Sequence, residues 1–168
     1  SGQASGELTG MKIAYVEIDT LLAQYNFCID LNEGMVKKSE NVRLTLNQKA
    51  RELDKQKQDF QTKYQNNAYL SPERAQQEYN RIAKLEQDLQ TLSNKLQSEL
   101  MSENEKNSLQ LRDSINAFLK EYNKTKGYSM IISNTGFDNL LYADSIYNIT
   151  KEIVEGLNAR YSSPAPKK

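Results

Sequence analysis

A chain of 168 residues is one domain by length, with room for one extended appendage. It sets 22 basic against 22 acidic residues, so no net field draws it to nucleic acid or to an anionic membrane. Histidine and tryptophan are absent and cysteine occurs once. That removes the usual general base, the commonest zinc ligand, an intramolecular disulfide and a cysteine metal cluster. The 26% charged and 38% hydrophobic content suits a helix-rich, surface-rich molecule better than a compact globule. No apolar stretch approaches the ~20 residues that a membrane span needs.

Residues 1–10 open with Ser1-Gly2-Gln3-Ala4-Ser5-Gly6 and read as a disordered lead-in. So small and polar a start looks trimmed, and the expectation is that a signal or lipoprotein segment once preceded it. Lys12 to Ile18 is rich in β-formers, with Ala14, Val16 and Ile18 on one face: a strand. Asp19-Thr20 is positioned to cap a short helical turn through Leu21, Leu22 and Tyr25. Cys28 reads as a small apolar residue at a helix start.

Between Met35 and Lys126 there is no glycine and one proline, Pro72, just after the polar break Asn66-Asn67-Ala68-Tyr69-Leu70-Ser71. A helical run that long with one interruption predicts a coiled-coil hairpin over 28–126. The first helix, about Cys28 to Ala68, carries one narrow stripe: Leu31, Met35, Val42, Leu46, Leu53, Phe60 and Tyr64. Ser71-Pro72-Glu73 supplies an N-cap, a first-turn proline and a first-turn acid for the second. There, Ile82, Leu85, Leu89, Leu92 and Leu96 step 3, 4, 3, 4. The stripe fades from Ser102 to Ser108, a polar layer or a hinge, and resumes at Leu111, Ile115, Phe118 and Tyr122. Gly127 is placed as a left-handed C-cap. Folding about residue 70 sets positions summing to roughly 140 opposite each other, so Phe60 meets Ile82, Leu53 meets Leu89, and Leu46 meets Leu92 or Leu96.

After Gly127 the period changes. Tyr128–Ser133 reads as a strand, Asn134–Asn139 as a turn and Leu140–Ala143 as another strand. Thr150 is expected to cap a last helix whose face is Ile153, Val154 and Leu157, with Ile149 stapled to Val154, before a tail over 162–168. The fold class is therefore α+β: a small body from 11–27 and 127–161, with the arm 28–126 inserted after the first strand. A body of about 60 residues with three short strands buries too little alone, so oligomerisation is expected. Its packing residues are Ala14, Val16, Ile18, Ile131, Ile132, Leu141, Val154 and Leu157.

Five apolar residues gather about the hairpin end: Phe60, Tyr64, Tyr69, Leu70 and Tyr79. They either close the hairpin by packing or form a contact surface, and the exposed pair in the turn favours contact there. The arm's 11 Gln and 11 Asn offer uncharged hydrogen bonding, or simply a solvated helix surface. Its carboxylates alternate with Lys and Arg as solvated faces do, and no phosphate loop, nucleophile elbow or metal spacing occurs. Neither an enzyme nor a cofactor is expected. Asn148-Ile149-Thr150 matches a glycosylation acceptor formally, but a helix cap explains it better.

The strand Ile13–Asp19, the long Gln/Lys/Glu-rich hairpin, and the closing Met130-Ile131-Ile132-Ser133, Leu141-Tyr142-Ala143, Ile149-Thr150, Val154 and Leu157 together resemble the Skp/OmpH family of periplasmic chaperones. The resemblance covers about residues 11–161. It implies a homotrimer with a shared β body, whose arms act as tentacles around unfolded outer-membrane proteins and prevent their aggregation without ATP or chemistry. Members of that family are often strongly basic, which helps capture acidic clients and approach anionic lipid. This chain departs from that: eight basic against six acidic residues in the first arm helix, nine of each in the second. A grip by apolar tip residues and amide-rich faces is the expectation instead. The rival expectation is a structural or adaptor coiled coil whose arms bind one folded partner.

Overall fold

The computed structural model describes residues 10–136 and 138–162. The expected lead-in apart from Gly10, the expected tail after Ser162, and Phe137 of the expected turn lie outside them. Two compact units divide the chain, one running to Glu33 and resuming at Lys106, the other spanning Gly34–Glu105.

The first unit is the α+β body. It holds strand β1 (Ile13–Glu17), helix α1 (Ile18–Gln24), strand β2 (Met130–Asn134), a 3₁₀ turn (Ser145–Tyr147) and helix α4 (Thr150–Arg160). It also takes the beginning of helix α2 (Asn26–Gln65) and the end of helix α3 (Pro72–Lys126). β1 and β2 pair in parallel, Ile13 opposite Met130 through Glu17 opposite Asn134. Parallel strands cannot be joined by a tight turn, so the hairpin is the crossover between them. Ala14, Tyr15 and Val16 are all buried, the signature of a parallel strand covered on both faces rather than an alternating one. Around it pack Leu21, Tyr25, Cys28, Ile115, Ile153 and Leu157, and Cys28 takes its place as a small apolar core residue.

Three details differ from expectation. α1 begins at Ile18 with Glu17 as its N-cap and no side-chain cap, so Asp19 and Thr20 fall inside the first turn. β1 runs straight into the helix and leaves no room for a capping loop. The N-cap of α4 is Ile149, without a side-chain cap, and Thr150 is already helical; Asn148 Oδ1 accepts from the Thr150 N–H at 3.0 Å and from its hydroxyl at 2.5 Å. The Thr150 hydroxyl oxygen meanwhile accepts from the Glu17 N–H at 2.8 Å, tying α4 to the end of β1. Finally, Leu140–Ala143 is not a strand: the sheet has two strands. The free edge of β1 is already occupied, because Tyr15 bridges to Asn148 and its carbonyl accepts from the Ile149 N–H. With that edge taken, Leu141 and Tyr142 lie 83% and 86% exposed, although they have strand-forming chemistry.

The second unit is the middle of the hairpin. Asn67 takes a left-handed φ of 53° just after α2 ends, and the Ala68 N–H reaches back to the Lys63 carbonyl. Ser71 Oγ then accepts from the Arg74 N–H at 3.2 Å and Pro72 opens α3, the expected cap and first-turn proline. Ion pairs bridge the helices at Lys57–Glu86 (2.8 Å) and Lys38–Glu103 (2.7 Å). Both fall within a residue or two of the register that the apolar stripes predict. Leu53 and Ile82 are buried, and Leu53 shares a groove with Leu85, Leu89 and Leu92. At the other end Gly127, φ 70°, closes α3 as its left-handed cap, its N–H bonded to the Asn123 carbonyl.

Candidate functional site

The apolar residues at the hairpin end converge on one ring. Phe60, late in α2, lies 5.9 Å from Tyr64 one turn on, 5.7 Å from Tyr69 in the loop and 6.1 Å from Tyr79 on α3, centroid to centroid. These are the offset and tilted geometries that aromatic quadrupoles prefer. Leu70 stays apart, 91% exposed at the turn. Tyr64 and Tyr79 also keep more than half their surface in water, so packing alone does not use these rings up.

Phe60, Tyr64 and Tyr79 wall an open recess of about 400 Å³ completed by Pro72, Ala75 and Gln76, and Tyr69 is not part of its lining. On the opposite flank of the Phe60–Tyr79 pair, a smaller groove of about 200 Å³ runs along Ile82 and Ala83 between Lys57 and Glu86. Pro72, Ala75, Gln76 and Tyr79 recur at helical spacing, three, one and three residues apart, so they share one face of the first turns of α3. The expected set missed Pro72, Ala75 and Gln76. Their spacing from Tyr79 was the available signal, but a small and a polar residue do not register as part of an apolar stripe.

One tight ion pair stands beside this end. Arg81 holds Glu78 through two hydrogen bonds, at 3.0 and 2.5 Å, and that pairing keeps the Glu78 carboxyl below the usual carboxylate range. The Tyr69 phenol is raised, chiefly by loss of water around it and next by the Glu78 charge. Gln76 donates its amide N–H to Asn80 Oδ1 at 2.9 Å.

The body carries a second apolar surface. A groove of about 380 Å³ is lined by Ile18, Leu22, Leu111, Leu119, Ile131 and Ile132 among others. Of the residues expected to pack the body, Ala14, Val16, Val154 and Leu157 are buried in the chain's own core. Ile18, Ile131 and Ile132 border the open groove. Leu141 lies 83% exposed instead of packing into the body, a departure that follows from the missing third strand. Two polar anchors brace the body beneath. Tyr25 and Ser114 hydroxyls lie 2.7 Å apart, and Tyr161 donates to Asp30 Oδ2 at 2.8 Å. Burial, with Asp30 next, pushes the Tyr161 phenol up to about 12.

Among the described residues no group of three or more His, Cys, Asp or Glu side chains could hold a metal ion. No described helix is long and apolar enough to cross a membrane. What this geometry offers is contact surface: an aromatic end on the hairpin and an apolar groove on the body.

The family model for the OmpH-like outer membrane proteins matches residues 12–157, from just before β1 to Leu157 within α4. The chain belongs to the OmpH-like family. The crystal structure of a candidate OmpH-like outer membrane chaperone from Caulobacter crescentus CB15 superimposes with a TM-score of 0.80. The likeness covers 94% of this chain and 90% of that one at 12% sequence identity, so it is a likeness of fold. No curated protein matches. For an OmpH-like chain, the short parallel sheet and the hairpin crossover are the family's fold, and the membership supports a chaperone role.

Proposed function

We propose that this OmpH-like protein is an ATP-independent holdase of the periplasm that encloses unfolded outer-membrane β-barrel proteins in transit and prevents their aggregation. The observation that carries the reading is the family match across both strands, both hairpin helices and α4. The site supports it: an aromatic hairpin end with accessible rings offers weak contacts that an unfolded chain can make and release. A chaperone that spends no ATP releases by mass action, so many weak contacts serve it better than one tight site. The working unit is a homotrimer associated through the body. The apolar groove beside Ile131 and Ile132, together with the exposed Leu141, Tyr142 and Ile146, leaves more hydrophobic surface than so small a body keeps in water.

The test removes the end of the hairpin. Residues 58–85 are replaced by a short Gly-Ser turn, which keeps Lys57 and Glu86 as the last facing pair. The truncated protein is expected to keep its trimeric mass and to lose most of its suppression of aggregation when a urea-unfolded β-barrel protein is diluted. Equal protection by the truncated trimer would remove the hairpin end from the mechanism.

A further inference from the structure

We infer that the recess at the hairpin end binds a single aromatic side chain presented by an extended polypeptide, giving the protein a preference for strands rich in Phe, Tyr and Trp. The inference rests on the holdase reading and names the chemistry that this site selects.

Size excludes larger occupants. One inserted ring buries about 150–250 Å², far below the ~1,200 Å² of the smallest stable protein–protein interfaces. At about 400 Å³ the recess sits near the small end of ligand pockets, which suits one side chain rather than a folded domain or a second copy of this chain.

Charge excludes a cation. No carboxylate lines the recess. The nearby acid Glu78 is held by Arg81, and Glu86 on the other flank is held by Lys57. A guanidinium or ammonium entering the recess would leave water for ring faces, with no lining carboxylate to offset its desolvation. A neutral ring instead gains edge-to-face and offset packing against Phe60, Tyr64 and Tyr79 from two helices at once.

The polar groups suit a backbone beside that ring. Gln76 uses its amide N–H on Asn80, which leaves its carbonyl oxygen as an acceptor, and the Tyr64 and Tyr79 hydroxyls can donate or accept. In an extended chain alternate side chains point the same way, so one ring can enter while neighbouring amides meet these groups. Transmembrane β-strands carry aromatic residues in girdles at both membrane interfaces, so the proposed clients present this chemistry repeatedly.

The protein has no tryptophan, so a tryptophan in a probe peptide reports alone. The probe is a peptide of about ten residues alternating Thr and Ser around one central Trp, titrated with the full-length chain. A saturable blue shift is expected, reversed by the Phe and Tyr versions and about fivefold less well by the Leu and Arg versions. Tyr79→Leu and Tyr64→Leu should each weaken the probe about fivefold with helicity retained. Tyr64 is 62% exposed, so its variant stays informative should Tyr79→Leu lose helicity. Val36→Ser, exposed and outside the recess, should bind normally. Leu displacing the probe as well as Phe, Arg displacing it better, or normal binding by Tyr64→Leu would each overturn the inference. Aggregation assays on the same samples separate the two readings. Protection of clients without aromatic preference sinks the recess alone, and aromatic preference without protection sinks the holdase.

Discussion

Two glycines show how differently the same residue works in this chain. Gly156 lies in α4 facing Phe118, and a Cβ built there would fall 2.3 Å from Phe118 Cζ and 2.8 Å from Cε2. Phe118 is stacked on Tyr122 at 5.8 Å, so its ring cannot simply swing aside. Tyr122 is itself constrained: its hydroxyl is buried, and that burial, with Glu152 next, raises the phenol well above its ordinary range. Gly34 sits in α2 with nothing within 4 Å of its missing Cβ. Gly156→Ala should therefore cost about 1–3 kcal/mol, the overpacking loss exceeding the helix-propensity gain. Gly34→Ala should add roughly 0.5–1 kcal/mol, since only propensity changes. Urea unfolding followed by circular dichroism at one fixed protein concentration reads both. Shifts of the same sign would refute the distinction. The sequence is enough to read Gly34 as a weak point, because a glycine inside a helical stripe lowers helix propensity wherever it stands. Gly156 carried no such sign, since its role depends on where a distant helix passes.

The elements divide in the same way. The hairpin was legible because its information is local and periodic: stripes at steps of three and four, a Ser-Pro-Glu start and a Gly end. Even its register followed, and the cross-helix pairs at Lys57–Glu86 and Lys38–Glu103 agree with it. The strand expected at Leu140–Ala143 failed because propensity does not say whether a sheet edge is free. The chain itself fills the edge of β1 at Asn148–Thr150, while the Leu140 N–H bonds to Asn134 Oδ1 instead of to a strand. The aromatic end was half legible, its rings by composition and its floor not at all. The exposed Leu141 and Tyr142 make a prediction at this scale. Leu141→Ser with Tyr142→Ser should leave unfolding within about 0.5 kcal/mol at the level of the protomer, because both side chains already face water. If the proposed trimer covers them, the doubly substituted protein should show a lower solution mass at micromolar concentration by light scattering. An unchanged mass would move the association surface to the groove beside Ile131 and Ile132.

For the molecule as a whole the deciding quantity is charge. Its 22 basic and 22 acidic residues cancel, and many are engaged locally: Glu40 with Arg43, Glu78 with Arg81, Lys84 with Asp88, Glu121 with Lys124. The shifts follow the pairing, Glu40 and Glu121 lowered and Arg43 raised by their partners. Exposed pairs of this kind contribute little stability, but they leave little field to steer a distant client. A strongly basic holdase would lose capture as salt rises past the point where the Debye length shrinks to about 8 Å. The proposed holdase, with its charges balanced, should not. Suppression of aggregation of an unfolded β-barrel protein should change by less than about twofold between low salt and 0.5 M sodium chloride. An equimolar amount of sodium sulfate should improve it modestly, because excluded anions strengthen apolar contacts such as those at Phe60, Tyr64 and Tyr79. The measurement is client turbidity at fixed chaperone excess, with the client's own salt dependence subtracted. A steep fall with sodium chloride would mean that capture runs through charges despite their balance. The aromatic end would then be packing that closes the hairpin and not the surface that grips.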